Sequence, residues 1–592
     1  MSQDKPSFNW KITGQAGHGV MLASMLMAKM AKRHGMQAFN YLEYPSLIKG
    51  GHQTGQVCAD FTCASCQRKK LDVIVIYTQE SFAVHKQEIT DDTIIIYNSD
   101  FEELSEEIKN IYQGRIQQMP LASWAKEITG TTLAANTVSL GVSALAIGLD
   151  PDICKQVIGD AFDSQEIIDK NLAAFDRGYL EASKVIDSKF SITPQEDKNI
   201  LLNGNEALGL GALSGGLQFY SAYPMTPSTG LLHFLNEHKH KLPIVVKQVE
   251  DEIGAIHEAI GASVAGARAM TGSSGGGFAL MVEALAFAGG AEIPLVILEG
   301  QRTGPATGAP TWTAQSDLSF VLTAGHGIFP KVVLTPGTVE EHFQLAQKAM
   351  YLAEKYQLPI VILSDKYILE SHQTMPAPDM VFINERQSMV DKSELSADES
   401  YLRYLDTESG ISKRSIPGQE FGLQLTNSYE HDQWGFATED AQTIEKSVNK
   451  RARKMSLILQ ELPQPKLIGS DQAEITLVGW GSTINVLRET VKALDKKVNA
   501  IHLACMHPFP VESFKQLTST SQKLIMVEGN VDGQGEAWIK QQTGIGMDDR
   551  IRRFDGRPFY AEDLVESLTN LEKNSANSEK KNLMGRLSFT GK

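Results

Sequence analysis

The sequence predicts a multidomain α/β protein, and three observations support this fold class. The chain has 592 residues, which is too long for a single hydrophobic core and corresponds to roughly three or four domains of ordinary size. Strand-like and helix-like stretches alternate in its first, second and last segments, a pattern typical of parallel sheets covered by helices. Its composition, 42% hydrophobic and 21% charged residues, is ordinary for a globular protein.

Charge and hydropathy argue against several classes of function. The formal net charge of -16, from 55 basic and 71 acidic residues, disfavours a nucleic acid or an anionic membrane as the main partner. The N-terminal stretch lacks the charged and apolar regions of a secretory signal. The most apolar long stretch, residues 275–300, is interrupted by Glu283, Glu292 and Pro294, so it predicts a buried helix followed by a strand. We therefore expect a cytoplasmic protein without a membrane segment.

The 5 cysteines indicate a reducing compartment. Cys58, Cys63 and Cys66 lie close together in the sequence, whereas Cys154 and Cys505 stand alone. A metal or cluster site would need a fourth ligand, so we interpret the three as ordinary thiols on a strand and a turn. We expect this chain to hold no metal.

The first segment, residues 1–187, predicts a doubly wound α/β domain with a parallel sheet. A short strand is followed by the turn GQAGHGV and by a helix, and further strand-like runs come at helix-sized intervals. The turn glycines Gly14, Gly17 and Gly19 could let backbone amides contact an anionic group. Their spacing departs from the dinucleotide fingerprint, and a tight turn that packs a helix on a strand is an equally good interpretation.

The rest of the chain divides by composition. A polar stretch near residues 188–199 predicts a linker, and a second α/β unit covers 196–375. Residues 376–466 predict a polar, irregular segment with one helix. Residues 467–575 predict a last α/β unit, and residues 576–592 have a disordered composition. The basic run Lys450–Lys454 on that helix predicts a solvated helix face.

Residues 223–229, YPMTPST, place two prolines around several hydroxyl groups. Pro224 and Pro227 fix their own φ angles and push the preceding residues toward extended conformations, so the stretch cannot lie inside a helix. A rigid turn is the simplest interpretation. The alternative is a loop that holds Thr226 and Ser228 against a ligand.

Two further loops bring polar residues to the carboxyl ends of predicted parallel strands, where open α/β sheets bind ligands. In QVEDE, Glu252 and the two acids before it precede a helix, where acids often act as caps. The loop QRTGPATGAPT offers Arg302 and Thr311. A guanidinium that clamps a carboxylate beside fixed hydroxyls suits a small carboxylic acid, although Arg302 could instead pair with an acid such as Glu299 and brace the loop.

These motifs resemble the fused gamma–alpha subunit of bacterial 2-oxoacid:ferredoxin oxidoreductases, most like the 2-oxoglutarate type. The matching stretches cover nearly the whole chain, and although each is weak alone, their order and spacing are specific. They are GNEALGLGA, YPMTPSTG, QVEDEIGAIHEAIGASVAGARAMTG, GQRTGPATGAPT, GISKRSIPG, HDQWGFATED, GWGST, HPFP, VEGN and DGRPF. The resemblance implies a gamma-type domain, a domain that binds the pyrimidine end of thiamine diphosphate, a linker and a transketolase C-terminal-like domain, in that order.

The implied reaction is the oxidative decarboxylation of a 2-oxoacid to acyl-CoA and CO₂, with electrons passed to ferredoxin. Thiamine diphosphate is shared with a separate beta subunit, which holds Mg²⁺ and a [4Fe–4S] cluster, and coenzyme A is the co-substrate. This chain contains neither the GDG…N diphosphate motif nor a set of cluster cysteines. We therefore expect it to be inactive without the beta subunit, with which it would form a heterodimer or a dimer of heterodimers.

The resemblance also implies roles for individual residues. Glu252 matches the glutamate that hydrogen-bonds the pyrimidine ring and assists proton removal from the cofactor, and Thr226 matches a catalytic threonine. Arg302 and Thr311 match the residues that bind the substrate carboxylate. The remaining expected contacts are Tyr223 and Pro227 to substrate, Ser274 and Gly275 to the cofactor, and Gly14, Gly17 and Gly19 to an anion or coenzyme A.

Several departures from the family pattern concern substrate identity more than reaction class. Gly276 stands where proline is frequent, Thr303 and Ala306 change the arginine loop, and Lys49 stands where arginine is common. The same type of complex acting on pyruvate or branched-chain 2-oxoacids therefore stays open. Two other interpretations also stay open, a non-catalytic assembly subunit and another type of thiamine enzyme. Retention of the four matched site residues argues against the assembly subunit.

Overall fold

The computed structural model describes residues 6–46, 50–386 and 388–571. Lys49 and residues 576–592, for which the sequence suggested specific roles or properties, lie outside the described residues. The described chain contains sheets of eight, seven and five strands with helices packed on their faces, as the predicted α/β class requires. None of the helices in these ranges combines the length and the apolarity needed to cross a bilayer.

The strands and helices alternate along most of the chain. The strands are β1 (Phe8–Gln15), β2 (Gln37–Glu43), β3 (His52–Asp60), β4 (Val73–Ile76), β5 (Ile94–Asn98), β6 (Ile116–Met119), β7 (Asn199–Asn203), β8 (Phe219–Ala222), β9 (Val245–Gln248), β10 (Ala269–Ser273), β11 (Leu295–Gln301), β12 (Val332–Leu334), β13 (Pro359–Asp365), β14 (His372–Pro376), β15 (Lys466–Ile468), β16 (Ile475–Trp480), β17 (Val498–Leu503), β18 (Cys505–His507), β19 (Lys523–Glu528) and β20 (Asp549–Arg552). The helices are α1 (Val20–Arg33), α2 (Glu80–Val84), α3 (Glu106–Ile111), α4 (Leu121–Thr129), α5 (Ala135–Ile147), α6 (Pro151–Gly159), α7 (Gln165–Ala182), α8 (Gly204–Ser214), α9 (Thr229–His238), α10 (Glu252–Val264), α11 (Gly275–Gly290), α12 (Leu318–Thr323), α13 (Val339–Tyr356), α14 (Lys366–Glu370), α15 (Ala441–Leu459), α16 (Thr483–Leu494), α17 (Val511–Thr518), α18 (Gln534–Thr543) and α19 (561–571).

The first sheet has the order β6-β5-β4-β1-β3-β2-β14-β7. Its first four strands are parallel, as the sequence predicted for this segment. The remaining pairs are antiparallel, because a short loop joins β2 to β3 and because β14 and β7 join the edge from the following α/β unit. Strands from two sequence segments therefore share one sheet.

The second sheet has the order β18-β12-β13-β11-β10-β8-β9 and is parallel except for the β12–β18 pair. Strands β11 and β13 are buried along their whole length, which explains their continuous apolar sequences. The apolar stretch 275–300 forms α11 and most of β11, as predicted. The third sheet, β15-β17-β16-β19-β20, lies beside the second and shares a hydrophobic core with it.

The prediction of a solvated basic face on α15 is wrong. Lys450, Arg451 and Lys454 are all buried. The Lys450 Nζ atom lies 2.6 Å from Glu292 Oε1, and Lys454 contacts the other oxygen of the same carboxylate. Burial alone would raise the pKa of Glu292, but the two ammonium groups hold it well below its usual range. Lys450 and Lys454 are thus internal counterions of one buried acid, whereas the two arginines of the run pair with Glu430 and Asp406.

We expect Glu292→Gln to destabilise the protein, because it leaves two buried ammonium groups without a counterion. Breaking a buried ion pair from one side costs about 3–5 kcal/mol in the free energy of unfolding. Urea unfolding followed by circular dichroism measures this loss, with Glu439→Gln, an exposed acid without an ion pair among the described residues, as the control. Equal unfolding free energies for the two variants would contradict the internal role of the basic run.

Candidate active site

The candidate site lies at the carboxyl ends of four neighbouring strands of the second sheet, β11-β10-β8-β9. Thr226 follows β8, Glu252 begins α10 after β9, Ser274 follows β10, and Arg302 follows β11. Because parallel strands end at the same edge, the loops that were distant in sequence meet at one rim. The structure thus brings together the residues that the sequence singled out in three separate motifs.

The YPMTPST loop is held rigidly against β11. Pro227 packs on Gly300, where an added Cβ would lie 2.9 Å from the proline Cγ, and its carbonyl accepts a hydrogen bond of 3.0 Å from Asn205 Nδ2. The Ser228 hydroxyl is buried and donates to the Met225 carbonyl at 2.8 Å. Ser228 therefore stabilises the turn itself. Thr226 and Thr229 are both half-buried, but Thr229 already begins α9, so Thr226 is the half-buried hydroxyl between the strand and the helix.

The three acids of QVEDE have three different environments. Glu250 is exposed, and Asp251 is the N-cap of α10, where its Oδ1 accepts from the Gly254 backbone N–H at 2.7 Å. Glu252 is only 4% exposed, and its Oε1 lies 3.5 Å from the Ser273 hydroxyl. The capping interpretation thus applies to Asp251, whereas Glu252 turns inward toward the rim.

A glycine-rich turn at the start of α11 gives the Glu252 side chain its space. An added Cβ on Gly277 would lie 2.4 Å from Glu252 Oε1 and 2.0 Å from Ser273 Oγ. One on Gly275 would lie 2.7 Å from Asp317 Oδ2. The Ser274 hydroxyl beside them is buried and has no hydrogen-bond partner among the described residues. Such an orphaned polar atom fits a site that a bound polar group completes.

We expect Gly277→Ala to lower turnover strongly, because the methyl group displaces the Glu252 carboxylate from its position. Gly276→Ala is the matched control, since a Cβ there meets no atom within 4 Å and the related family pattern places proline at this position. Replacing glycine at a compatible position stabilises a protein by about 0.4–1 kcal/mol. Equal activities of the two alanine variants, assayed together with the beta subunit that the sequence resemblance implies, would contradict the packing of Gly277 on Glu252.

Arg302 links its own loop to the YPMTPST loop. Its Nη1 donates to the Thr226 carbonyl at 2.9 Å, and no carboxylate lies within ion-pair distance of it in the described part of the chain. The alternative of an ion pair with Glu299 is therefore not seen. Thr311, at the end of the same loop, is buried with an Oγ1 that lacks a hydrogen-bond partner among the residues described.

Two acids, one buried and one half-buried, lie behind Arg302; the sequence named the first only as a possible ion-pair partner and did not single out the second. Glu299, in β11, is fully buried, and Asp317 precedes α12. Burial and the neighbouring Asp317 raise the pKa of Glu299 well above its usual range, and burial also raises the pKa of Asp317. The raised pKa favours the protonated form of Glu299, and neither of its carboxyl oxygens has a hydrogen-bond partner among the described residues. In the sequence, the position of Glu299 inside the apolar run PLVILEG was the feature that could have indicated its burial.

A cavity of about 520 Å³ lies where the first sheet, the arginine loop and the chain after β20 meet. Trp312 follows the arginine loop and lines the cavity, and its carbonyl accepts a hydrogen bond of 3.0 Å from the Thr303 backbone N–H. The cavity and the rim are thus built on the same loop. Six of its lining residues are His52, His85, Glu88, Trp312, Arg553 and Arg557.

The glycine turn after β1 lies at the same edge as this cavity, because Gln15 pairs with His52 across β1 and β3. An added Cβ on Gly14 would lie 2.8 Å from His18 Nδ1, and one on Gly19 would lie 2.5 Å from Asn136 Nδ2. Gly17 has open space around it and a φ of 99°. Close packing accounts for two of the three glycines, and the contact with an anion stays a prediction.

The cysteine trio has the environment of ordinary thiols. Cys58 lies in β3, and Cys63 and Cys66 lie in the turn after it. Burial raises the pKa of Cys58 to about 12 and raises that of the other two. Within the described residues, no group of three histidine, cysteine or acidic side chains is arranged to hold a metal ion.

Comparisons with known proteins match this architecture. Residues 9–181 match the family described as pyruvate ferredoxin/flavodoxin oxidoreductase, and residues 210–450 match its thiamine diphosphate-binding domain family. A 2-oxoacid:ferredoxin oxidoreductase subunit alpha from Sulfolobus sp is 31% identical, with 95% of this chain and 97% of the relative covered. The 2-oxoglutarate synthase subunit KorA of Methanothermobacter marburgensis is 31% identical, covering 56% of this chain and 88% of the relative.

A solved structure is similar over almost the whole chain. It is the 2-oxoglutarate:ferredoxin oxidoreductase from Magnetococcus marinus with 2-oxoglutarate, coenzyme A and succinyl-CoA bound. It is 31% identical, the match covers 96% of this chain and 100% of the other, and the TM-score is 0.88.

Proposed function

Because the chain belongs to the family of 2-oxoacid:ferredoxin oxidoreductase alpha subunits, we propose that it converts 2-oxoglutarate to an acyl-CoA and CO₂ in a complex with a beta subunit, which passes the electrons to ferredoxin. The observation that carries this proposal is the meeting of Thr226, Glu252 and Arg302 at one rim. The substrate named for the similar solved structure supports 2-oxoglutarate. The family description that names pyruvate keeps that acid as the second candidate.

The residues of the rim fit the pyrimidine end of thiamine diphosphate. Glu252 is a buried carboxyl group, and the hydroxyl of Ser274 is buried without a partner among the described residues. Buried polar atoms of this kind require a hydrogen-bonding ligand. When bound, thiamine diphosphate accepts the electron pair of the carbon–carbon bond that breaks as the carboxylate leaves. No side chain can accept that pair.

Glu252 has the role of a proton donor and acceptor in this proposal. Its Oε1 lies near the Ser273 hydroxyl, so its Oε2 is the atom available to hold a proton against a ring nitrogen of the cofactor. Its burial excludes water from that hydrogen bond, which strengthens it. With the cofactor bound, the fixed Glu252 carboxyl group would give and take a proton at Oε2 with little solvent reorganisation.

Arg302 and Thr226 position the substrate. One guanidinium nitrogen of Arg302 is engaged by the Thr226 carbonyl, so the rest of its fork stays available for a substrate carboxylate. The bond to the carbonyl fixes the guanidinium and the threonine loop relative to each other. A 2-oxoacid bound by this fork is held close to the Thr226 hydroxyl, and Thr311 offers a further unpartnered hydroxyl.

A beta subunit is proposed to cover the rim and to hold the diphosphate, Mg²⁺ and a [4Fe–4S] cluster. Two apolar side chains are exposed on the helices that flank Glu252, with Ile253 46% exposed on α10 and Leu280 52% exposed on α11. Tyr223 is exposed on the threonine loop, and β9 is an exposed edge strand. Exposed apolar residues on neighbouring elements of a site are typical of a protein interface. Pairing in heterodimers or dimers of heterodimers follows from this proposal.

The substrate is tested with the complex purified through an affinity tag on this chain. The assay follows ferredoxin reduction with coenzyme A and either 2-oxoglutarate, pyruvate or 2-oxobutyrate as the substrate. We expect the highest kcat/KM with 2-oxoglutarate. A higher value with pyruvate would replace the substrate but keep the reaction class, and no reduction with any 2-oxoacid would support a non-catalytic assembly subunit.

A further inference from the structure

A cluster of arginine side chains connects the segment 376–466 to the second α/β unit. Arg268 precedes β10, whereas Arg386 and Arg414 belong to the segment itself. The acid between them is Glu354 of α13, which is buried. Arg268 Nε and Arg386 Nε donate to different oxygens of the Glu354 carboxylate. Both oxygens of this acid are therefore engaged before Arg414 is considered.

Arg414 is a buried guanidinium without a carboxylate partner. Its side chain lies in a residue that is only 3% exposed, and no described acid lies within ion-pair distance of it. Its Nη1 donates to the Ser263 carbonyl, near the end of α10, at 2.6 Å. Its Nε and Nη2 atoms are buried and have no hydrogen-bond partner among the described residues. Arg414 therefore brings a charge and unused donors into the interior.

Positive charges outnumber negative ones around Arg414. Burial and then the neighbouring Arg403 lower the pKa of Arg414 to about 10, so the guanidinium is still charged at physiological pH. Arg403 is also 3% exposed, and its Nη1 lacks a hydrogen-bond partner in the described ranges. At Glu354, three guanidinium groups share one carboxylate. An uncompensated buried charge is costly, and proteins normally pair it with an opposite charge.

A small cavity of about 10 Å³ lies beside Arg414. Arg268 and Glu354 also line it, and the rest of its wall is apolar, from the starts of β10 and β11 and from α13. A space of this size is close to the minimum that holds one water-sized particle. It excludes polyatomic anions such as phosphate. A water molecule would satisfy donors of Arg414 but would leave its charge uncompensated.

We propose that this cavity binds a single halide ion, chloride in the cell, which accepts hydrogen bonds from Arg414 Nε and Nη2. The ion supplies the negative charge that the three arginines around Glu354 lack. It thereby fastens the segment 376–466 to α10 and α13. The site lies near the end of α10, whereas Glu252 begins that helix, so the ion stabilises the fold and takes no part in the reaction. This inference does not depend on the proposed function.

Thermal unfolding of the purified full-length chain tests the site. Sodium chloride is compared with sodium gluconate at equal ionic strength, because gluconate is too large for the cavity. We expect chloride to raise the Tm along a saturable curve, by about 2–4 °C at tenfold its Kd. The same Tm in both salts would overturn the proposal. So would a Tm that changes linearly with chloride and does not saturate, since that is a general salt effect.

Substitutions of Arg414 assign the chloride effect to this site. In Arg414→Gln the chloride-dependent rise in Tm should disappear, because the charge and most donors are lost. Arg414→Lys keeps the charge, so the rise should occur at a higher chloride concentration than in the wild type. Arg33→Gln is the control, because Arg33 lies on the surface and pairs with Asp160, and it should show the full rise. A rise of wild-type size in Arg414→Gln would overturn the assignment.

A bromide experiment on the wild-type chain decides the question even if the Arg414 variants do not fold. Bromide carries the same charge as chloride and can be located by its anomalous scattering. In crystals grown with sodium bromide we expect one anomalous peak within hydrogen-bond distance of both Arg414 Nε and Nη2. Density without an anomalous signal at this position would identify a water molecule and overturn the proposal. An empty cavity, or bromide bound only on the surface, would overturn it as well.

Discussion

In the complex, Glu252→Gln is expected to lower kcat by about 10² to 10⁴, the usual contribution of a positioned acid–base group. Glutamine has nearly the same shape, so the packing of the side chain against Gly277 and Ser273 is kept. The amide cannot release a proton to a ring nitrogen of the cofactor and recover it. Turnover should therefore fall while the melting temperature of the chain stays unchanged.

Glu250→Gln is the matched control for this experiment, because Glu250 lies two residues earlier and is exposed. It should retain close to wild-type kcat. The opposite pattern, with near-full activity in Glu252→Gln and a large loss in Glu250→Gln, would show that the wrong acid of QVEDE has been assigned to the cofactor.

Arg302→Lys is expected to lower kcat/KM for the 2-oxoacid by more than one order of magnitude. Lysine keeps the positive charge but cannot bond the Thr226 carbonyl and a substrate carboxylate in one plane. Losing charged hydrogen bonds worth roughly 1.5–3 kcal/mol each corresponds to about 10- to 150-fold in kcat/KM. The fall in kcat/KM should be largest for the 2-oxoacid whose carboxylate makes the most hydrogen bonds to the Arg302 guanidinium.

Arg33→Lys serves as the control, because Arg33 makes a surface ion pair with Asp160 in the first domain. It should change neither kinetics nor stability measurably. Unchanged kinetics in Arg302→Lys together with a lowered melting temperature would show that Arg302 only braces the two loops. Since the structure pairs Arg302 with the Thr226 carbonyl, a small loss of stability is compatible with the substrate role, but unchanged kinetics is not.

The positions of the candidate site residues at strand ends could be predicted from the sequence because local rules apply there. Strand ends, proline-fixed turns and helix starts are short-range features, so Thr226, Glu252 and Arg302 could be placed at strand ends from sequence alone. Parallel topology then makes those ends meet at one edge. Which acid of QVEDE caps the helix and which one points inward depends on side-chain direction, which the sequence does not determine. The structure shows that Asp251 is the cap and that Glu252 points inward.

The features that the sequence did not reveal depend on long-range contacts. Lys450 was predicted to be solvated, yet its partner Glu292 lies 158 positions away and is buried with it. His52 and His85 are 33 positions apart and belong to no motif, so their hydrogen bond was invisible before the strands were aligned. The mixed pairing of the first sheet has the same cause, because β7 and β14 join it from another unit.

Release of CO₂ from carboxyl-labelled 2-oxoglutarate tests the central claim most directly. The assay compares this chain alone with the complex purified through it, both supplied with thiamine diphosphate, Mg²⁺ and coenzyme A. We expect labelled CO₂ from the complex and none from the chain alone, since this chain supplies only the Glu252 side of the site. Release by the chain alone, or no release by an intact complex with any 2-oxoacid, would contradict the proposed division of the active site between two subunits.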